Sequence, residues 1–339
     1  MRQRMSTLMV FLGLMLVMAC SSAWAQYQLT NLVSNQAGKA THKDPLLTNA
    51  WGLAYAPGNP IWVSDNQSGW STLYDGVGNP QSLQVIIPAA SLSGKGTPTG
   101  IVYNGSQEFK IHTWTSLFLF ATLDGTISGW SSFNPSAALI AVTQKGAVYT
   151  GLAITSKATG NHLFAADSAN NKVDVYDGNF NLVKSFTDPT LPKNFTPFGI
   201  QDIKGKLYVA FADSTGGSGG FIDVFKEDGT GMKRLIQGAP LNQPWGIALA
   251  PLTGFGPLSG TLLVTNNINT TGTINGFNLT TGKLVGTMMD TKGKPIQIDQ
   301  LWGIKFGGGS VANGKRNQLY FTAGPNNNVN GTLGVIVFK

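Results

Sequence analysis

The sequence predicts an all-β protein, a six-bladed β-propeller closed by its own N-terminal strand. Three observations carry that expectation. Only 12% of the 339 residues are charged, while 43 are glycine, a turn-rich and strand-rich composition unlike that of a helical or disordered chain. A glycine-centred phrase recurs six times, roughly fifty residues apart, the signature of a propeller array. A strand-like stretch near the start also supplies an element that the last repeat lacks.

The phrase is a proline or polar residue, any residue, then Gly and alternating apolar residues. It occurs at Gly52 in "NAWGLAYAP", Gly100 in "TPTGIVY", Gly151 in "YTGLAI", Gly199 in "TPFGIQDI", Gly246 in "QPWGIALAP" and Gly303 in "QLWGIKF". Each unit continues with an apolar strand ending in Asp or Asn, such as "IWVSDN" or "KLYVAFADS". A third strand follows a tight turn, as in "STLYD", "KVDVYD" and "GTINGF". A weaker fourth strand is visible in most units, for example "QVIIP" and "KRLIQ". The last unit stops at Lys339 after its third strand, and "YQLTNLVSN" (27–35) has the alternation to complete it. Closure of this kind removes the exposed edges of an open array. The phrase glycines would let the innermost strands crowd together at the axis. The domain is expected to span 26–339.

Residues 1–25 read as an export leader: Arg2 and Arg4, the apolar run "LMVFLGLMLVMA", and a small-x-small site before Gln26. The only cysteine, Cys20 in "VMACSS", offers a second processing reading, lipid attachment. Cleavage after Ala25 would leave a periplasmic or extracellular chain with no cysteine and no disulfide. No later stretch is long and apolar enough to span a membrane. The net charge of +7 includes those two arginines, and the lysines form no run, which argues against a nucleic-acid partner.

The stretch "LFAADSANNKVDVYDGNFNLV" resembles an NHL-type blade, and the six-fold pattern is similar to NHL and gluconolactonase-like propellers. The chain as a whole, above all "NLVSNQAGKATHKDPLLTNAWGLAYAPGNPIWVSDNQSGWSTLYDG", resembles a family of secreted bacterial propellers, some with a PEP-CTERM sorting tail. This sequence ends on "VIVFK" without such a tail. The resemblance implies fold and export but no activity, because propellers host binding proteins, lactonases, lyases and scaffolds.

Candidate site residues gather at the face where the inner strands begin, called here the front face. Asp65, Asn66, Asp124, Asp167, Asp213 and Asn266 end second strands there, with Asn170, Asn267, Asn326 and Asn327 beside them. Such an oxygen-rich, sulfur-free set suits a hard cation such as calcium. The same residue types also cap turns by bonding their own backbone. The loop 34–49 adds His42 and Asp44, candidates for general acid–base work. Asp188, Asp290 and Asp299 sit in equivalent loops. Trp51, Phe198, Trp245 and Trp302 precede their blade glycines, where flat faces could stack on a sugar or wedge between blades. "GGSGG" (216–220) matches a serine-hydrolase expression but lies between strands, where no nucleophile elbow forms.

Two functions follow. One is a binding or scaffold propeller offering its loop-rich face to a carbohydrate, a peptide or an envelope surface. The alternative is a calcium-dependent hydrolase or lactonase similar to gluconolactonase-like propellers. Those enzymes usually place a glutamate among the metal ligands, whereas Glu108 and Glu227 fall outside the second-strand turns.

Overall fold

The computed structural model describes residues 26–155, 157 and 160–339. The proposed leader and Cys20 lie outside the described residues. Five sheets have four strands each, written from the inner strand outward. The first blade is Ala50–Ala54, Ile61–Asp65, Trp70–Tyr74 and Pro80–Ile86. The second is Pro98–Tyr103, Phe118–Thr122, Thr126–Trp130 and Leu139–Thr143. Its outermost strand, "LIAVT", is one that the sequence pattern leaves unplaced. The third is Tyr149–Ile154, Leu163–Asp167, Lys172–Tyr176 and Leu182–Phe186. The fourth is Phe195–Asp202, Lys206–Asp213, Phe221–Lys226 and Lys233–Gln237, and the fifth is Pro244–Leu249, Leu262–Asn266, Ile274–Phe277 and Leu284–Thr287.

The sixth blade closes the ring as the sequence predicts. Leu301–Phe306, Gln318–Ala323 and Thr332–Phe338 are completed by the N-terminal strand Tyr27–Ser34. That strand runs antiparallel to the C-terminal one, from Tyr27 opposite Phe338 to Ser34 opposite Thr332. A short fifth strand, His42–Lys43, then covers the edge in parallel pairing. The two ends of the domain are thereby hydrogen-bonded into one sheet, so unravelling either end exposes a blade edge.

Each blade alone could not bury both of its faces. Six apolar clusters fill the six seams between neighbouring blades, and a seventh sits on the axis. At the axis the blade glycines do what the repeat pattern predicts. A Cβ built on Gly52 would lie 2.5 Å from Thr99 O, one on Gly246 2.5 Å from Trp302 O, and one on Gly303 2.6 Å from Trp51 O. Gly199 is tighter still against Trp245 O. Each of these carbonyls belongs to the residue preceding the glycine of the next blade.

Side chains also bridge every seam at its inner end. Asn66 Nδ2 donates to Pro98 O, Thr99 Oγ1 to Tyr149 O, and Thr150 Oγ1 to Pro197 O. Gln243 Nε2 donates to Asp213 O, Thr265 Oγ1 to Trp302 O, and Thr322 Oγ1 to Trp51 O. The ring is therefore held by backbone contact and by at least one polar latch per seam.

The axial glycines are predicted to carry more of the stability than glycines elsewhere in the sheets. Gly199→Ala should cost about 3 kcal/mol by overpacking against rigid backbone. Gly286→Ala, whose added Cβ would meet only Leu258 Cδ2 at 3.8 Å, should cost less than about 1 kcal/mol. Urea unfolding midpoints of the two variants check this ordering, and equal losses would contradict it.

Candidate functional site

The thrice-written Trp-Gly phrase has a structural meaning of its own. In the first, fifth and sixth blades it follows a residue with left-handed backbone: Asn49 (φ 47), Gln243 (φ 51) and Gln300 (φ 50). In all three the strand register then slips across the Trp-Gly pair, between Ala50 and Leu53, Pro244 and Ile247, and Leu301 and Ile304. A bulge re-aims its side chain. Here it turns three indoles onto the axis.

Those indoles pack on one another. Trp51 and Trp302 are stacked, with centroids 3.6 Å apart at 20°. Trp245 meets both edge-on, at 5.9 Å and 5.8 Å. Phe198 leans against Trp302 at 5.7 Å. Trp51, Trp245 and Trp302 are buried. Trp302 Nε1 donates to Asn49 Oδ1 at 3.1 Å, and Trp245 Nε1 to Thr150 O at 2.9 Å. The faces expected to stack on a flat ligand are occupied by the other rings, and the four residues form a plug at the front end of the axis.

The front-face side chains other than Asp65 are also engaged, by groups of their own turns and of neighbouring entry segments. Asp124 accepts Ala90 N at 2.7 Å. Asp167 accepts Val148 N and Asn170 Nδ2. Asp213 accepts Thr215 N, Thr215 Oγ1 and Asn194 Nδ2. Asn66 lies between Asn49 and Pro98, and Asn266 between Asn242 and Pro240. Among the described residues, no three His, Cys, Asp or Glu side chains gather as a metal cage. Asx-turn chemistry explains the placement, because an Asp or Asn ending a strand finds free N–H groups within its own turn.

His42 and Asp44 do not form a pair. His42 is half-buried in the outermost strand of the sixth blade, opposite Val33. The Asp44 carboxylate accepts Tyr74 Oη at 2.8 Å and Leu46 N at 2.9 Å. Asp188 is held by Arg234, Asp290 by its own turn, and Asp299 by the N–H groups of Thr270 and Asn326.

Asp65 differs from the rest. It is fully buried, and among the described residues no donor lies within hydrogen-bond distance of either carboxylate oxygen. Burial pushes its pKa well above the usual carboxylate range, with Asp44 adding to the rise and Thr72 opposing it.

The cavity with converging chemistry lies on the axis behind the plug. The residue after each blade glycine is a branched aliphatic: Leu53, Ile101, Leu152, Ile200, Ile247 and Ile304, all buried. They ring a chamber of about 50 Å³ capped by Trp245. The chamber shares Gln201, Ile247 and Ile304 with a mouth of about 250 Å³ lined further by Tyr55, Asp202, Leu249, Lys305 and Phe306. Gln201, Asp202 and Lys305 are half-buried, so this blind funnel opens at the rear face, where the inner strands end.

Polar groups are few and perturbed there. Lys305 Nζ lies 5.2 Å from the Tyr55 ring centroid, and desolvation lowers its pKa. Tyr55 Oη donates to Phe306 O at 2.7 Å. The Asp202 carboxyl is raised to about 6, mainly by burial and then by the neighbouring Glu227, against the N–H of Gly205. Glu227 is itself paired with Lys157. The sequence reading missed the funnel because Gln201, Asp202 and Lys305 look like ordinary strand residues. Their signal is a break in apolar alternation in "GIQDI" and "WGIKF", where the other blades have Ala or Val at the second position after Gly.

No family model matches the chain. The uncharacterized protein R648 of Acanthamoeba polyphaga mimivirus is 32% identical over 335 residues, covering 91% of this chain and 80% of the viral protein. Protein L690 of the same virus is 31% identical over 346 residues, covering 93% and 87%. Among solved structures, a streptogramin B lyase matches with TM-score 0.55 and 14% identity over 94% of this chain and 100% of that one. Virginiamycin B lyase from Staphylococcus aureus matches with TM-score 0.55 and 14% identity over 92% and 99%. At that identity the likeness shows the fold alone, a six-bladed propeller.

Asp65 generates a pH prediction. A carboxyl whose folded pKa is raised contributes stability at low pH that is lost as pH rises through the folded value. Asp65→Asn removes that loss. Its melting temperature relative to wild type should therefore rise as the pH is raised above the ordinary carboxylate value of about 4, as read by calorimetry. A pH-independent difference would contradict the burial of an ionisable Asp65.

Proposed function

The chain belongs to the family of the mimivirus proteins R648 and L690, and we propose that it is a ligand-binding propeller that works through its axial funnel. The observation that carries this reading is the funnel's composition: an enclosed apolar ring with a few convergent polar groups, two of them with shifted pKa values. The binding role expected from the sequence is kept, and its site moves from the loop-rich front face to the rear. Carbohydrate, peptide or surface partners of the front-face loops are a further proposal. So is export, which rests on the leader-like residues 1–25. No helix among the described residues is long and apolar enough to cross a membrane.

The alternative is a calcium-dependent hydrolase or lactonase. Asp65, with two unpartnered oxygens, is the observation on its side. Against it stand the engaged turn carboxylates, the separation of His42 from Asp44, and the two glutamates. Glu108 accepts the N–H of Gly160 and Asn161, and Glu227 pairs with Lys157.

A blocking substitution separates the two faces. Leu249→Trp should fill the funnel mouth, and small molecules found in a ligand-observed NMR screen of the wild type should lose their signal on it. The same hits should be unaffected by Asn327→Ala on the front face. Hits that survive Leu249→Trp but vanish with Asn327→Ala would overturn the funnel as the ligand site.

A further inference from the structure

Resting on the funnel reading above, we propose that the ligand is a small organic carboxylate, its anionic end on Lys305 and its apolar body against the aliphatic ring. Lys305 stands at the second position after its blade glycine, where the other five blades carry Ala54, Val102, Ala153, Gln201 and Ala248. A cation placed within an inner strand is costly unless something compensates its desolvation.

The other sheltered cations have carboxylate partners. Lys172 is paired with Asp174, and Arg234 with Asp188 and Asp223. Lys305 has no such partner among the described residues. Its neighbour is the face of Tyr55, whose hydroxyl is committed to Phe306 O.

The charged and titratable surroundings favour an anion at that point. Tyr55 comes from the first blade, with the Arg316 guanidinium close enough to act on it. The fifth blade contributes only the apolar Ile247, Ala248 and Leu249 to the mouth, and the fourth contributes Gln201, Asp202 and Ile203. Positive charge therefore lies on the Lys305 side, and the single carboxyl of the lining stands two blades away. One lysine, with apolar side chains beside it and the lone carboxyl two blades away, matches a monoanion with a hydrocarbon body better than a multiply charged phosphate, which would leave charge uncompensated. The mouth of about 250 Å³ and the chamber behind it set the size to that of a short-chain or single-ring acid.

Binding should be linked to protonation. Free Lys305 has a lowered pKa, and an arriving carboxylate raises it again. Affinity is then fully present below the pKa of the free protein and lost as pH rises through it, beginning below the ordinary lysine range.

The test uses the full chain and two probes of equal shape, hexanoate and hexanamide, titrated calorimetrically into the wild type, Lys305→Met, Lys305→Arg and Leu249→Trp. Melting curves establish that each variant is folded. Hexanoate should bind the wild type at least about tenfold more tightly than hexanamide, as a charge-assisted contact requires. Lys305→Met should remove that preference and Lys305→Arg should keep it. Raising the pH from 7 towards 10.5 should weaken hexanoate and leave hexanamide unchanged. Equal binding of both probes, unaffected by Lys305→Met but abolished by Leu249→Trp, overturns the carboxylate while leaving the funnel in place. Failure of both probes to bind, or binding unaffected by Leu249→Trp, overturns the funnel reading as well.

Discussion

The structure depends on how closely six inner strands can approach one axis. At that radius there is no room for a Cβ between neighbouring blades, so each blade must present a glycine to the backbone of the next. Gly52, Gly199, Gly246 and Gly303 each stand against the carbonyl of the residue before the following glycine. That single constraint fixes the phase of all six blades. Residues one step beyond the glycines become the aliphatic ring, residues one step before become the plug, and residues two and three steps beyond line the rear mouth.

A ring this tight divides its axis into unequal ends. At the front, the bulge that recurs in all six inner strands carries a tryptophan in three of them, and the packed indoles close the passage. At the rear, the strands end in a mixture of Tyr55, Asp202, Leu249 and Phe306 that leaves a mouth open. The front end of the axis is thereby filled by packed rings, while a cavity stays open at the back. Lys305 is the cation that the packing of the ring does not need, since the equivalent position elsewhere is filled by small or neutral residues.

The architecture was legible in the sequence because it is periodic. The six glycines, the second strands and the N-terminal strand that completes the last blade all repeat or complement a local pattern, and the pairing of Tyr27 with Phe338 bears this out. The site was legible only in part. Trp51 and Trp302 are far apart in the chain, so their stacking depends on ring closure and leaves no local trace. The turn carboxylates lie where the sequence puts them, yet their partners are hydroxyls, amides and N–H groups of their own turns and of neighbouring entry loops, a choice that residue type alone leaves open. His42 reads in the sequence as part of the loop 34–49, but it adds a strand to the sixth blade, because the loop returns to pair with Val33. Lys305 stands in the sixth copy of the glycine-centred phrase and reads there as a strand residue, since its isolation from carboxylates exists only in the folded ring.

The central claim is that small molecules enter this propeller from the rear and stop beneath the tryptophan plug. The most direct measurement is a crystal structure of the protein soaked with a bromine-substituted short-chain carboxylate, located by the anomalous signal of bromine. The account predicts one strong site in the funnel beneath Trp245, between Ile247 and Ile304, with the carboxylate at Lys305. Bromine bound among the front-face loops around Asn326 and Asp299, with an empty funnel, would contradict it.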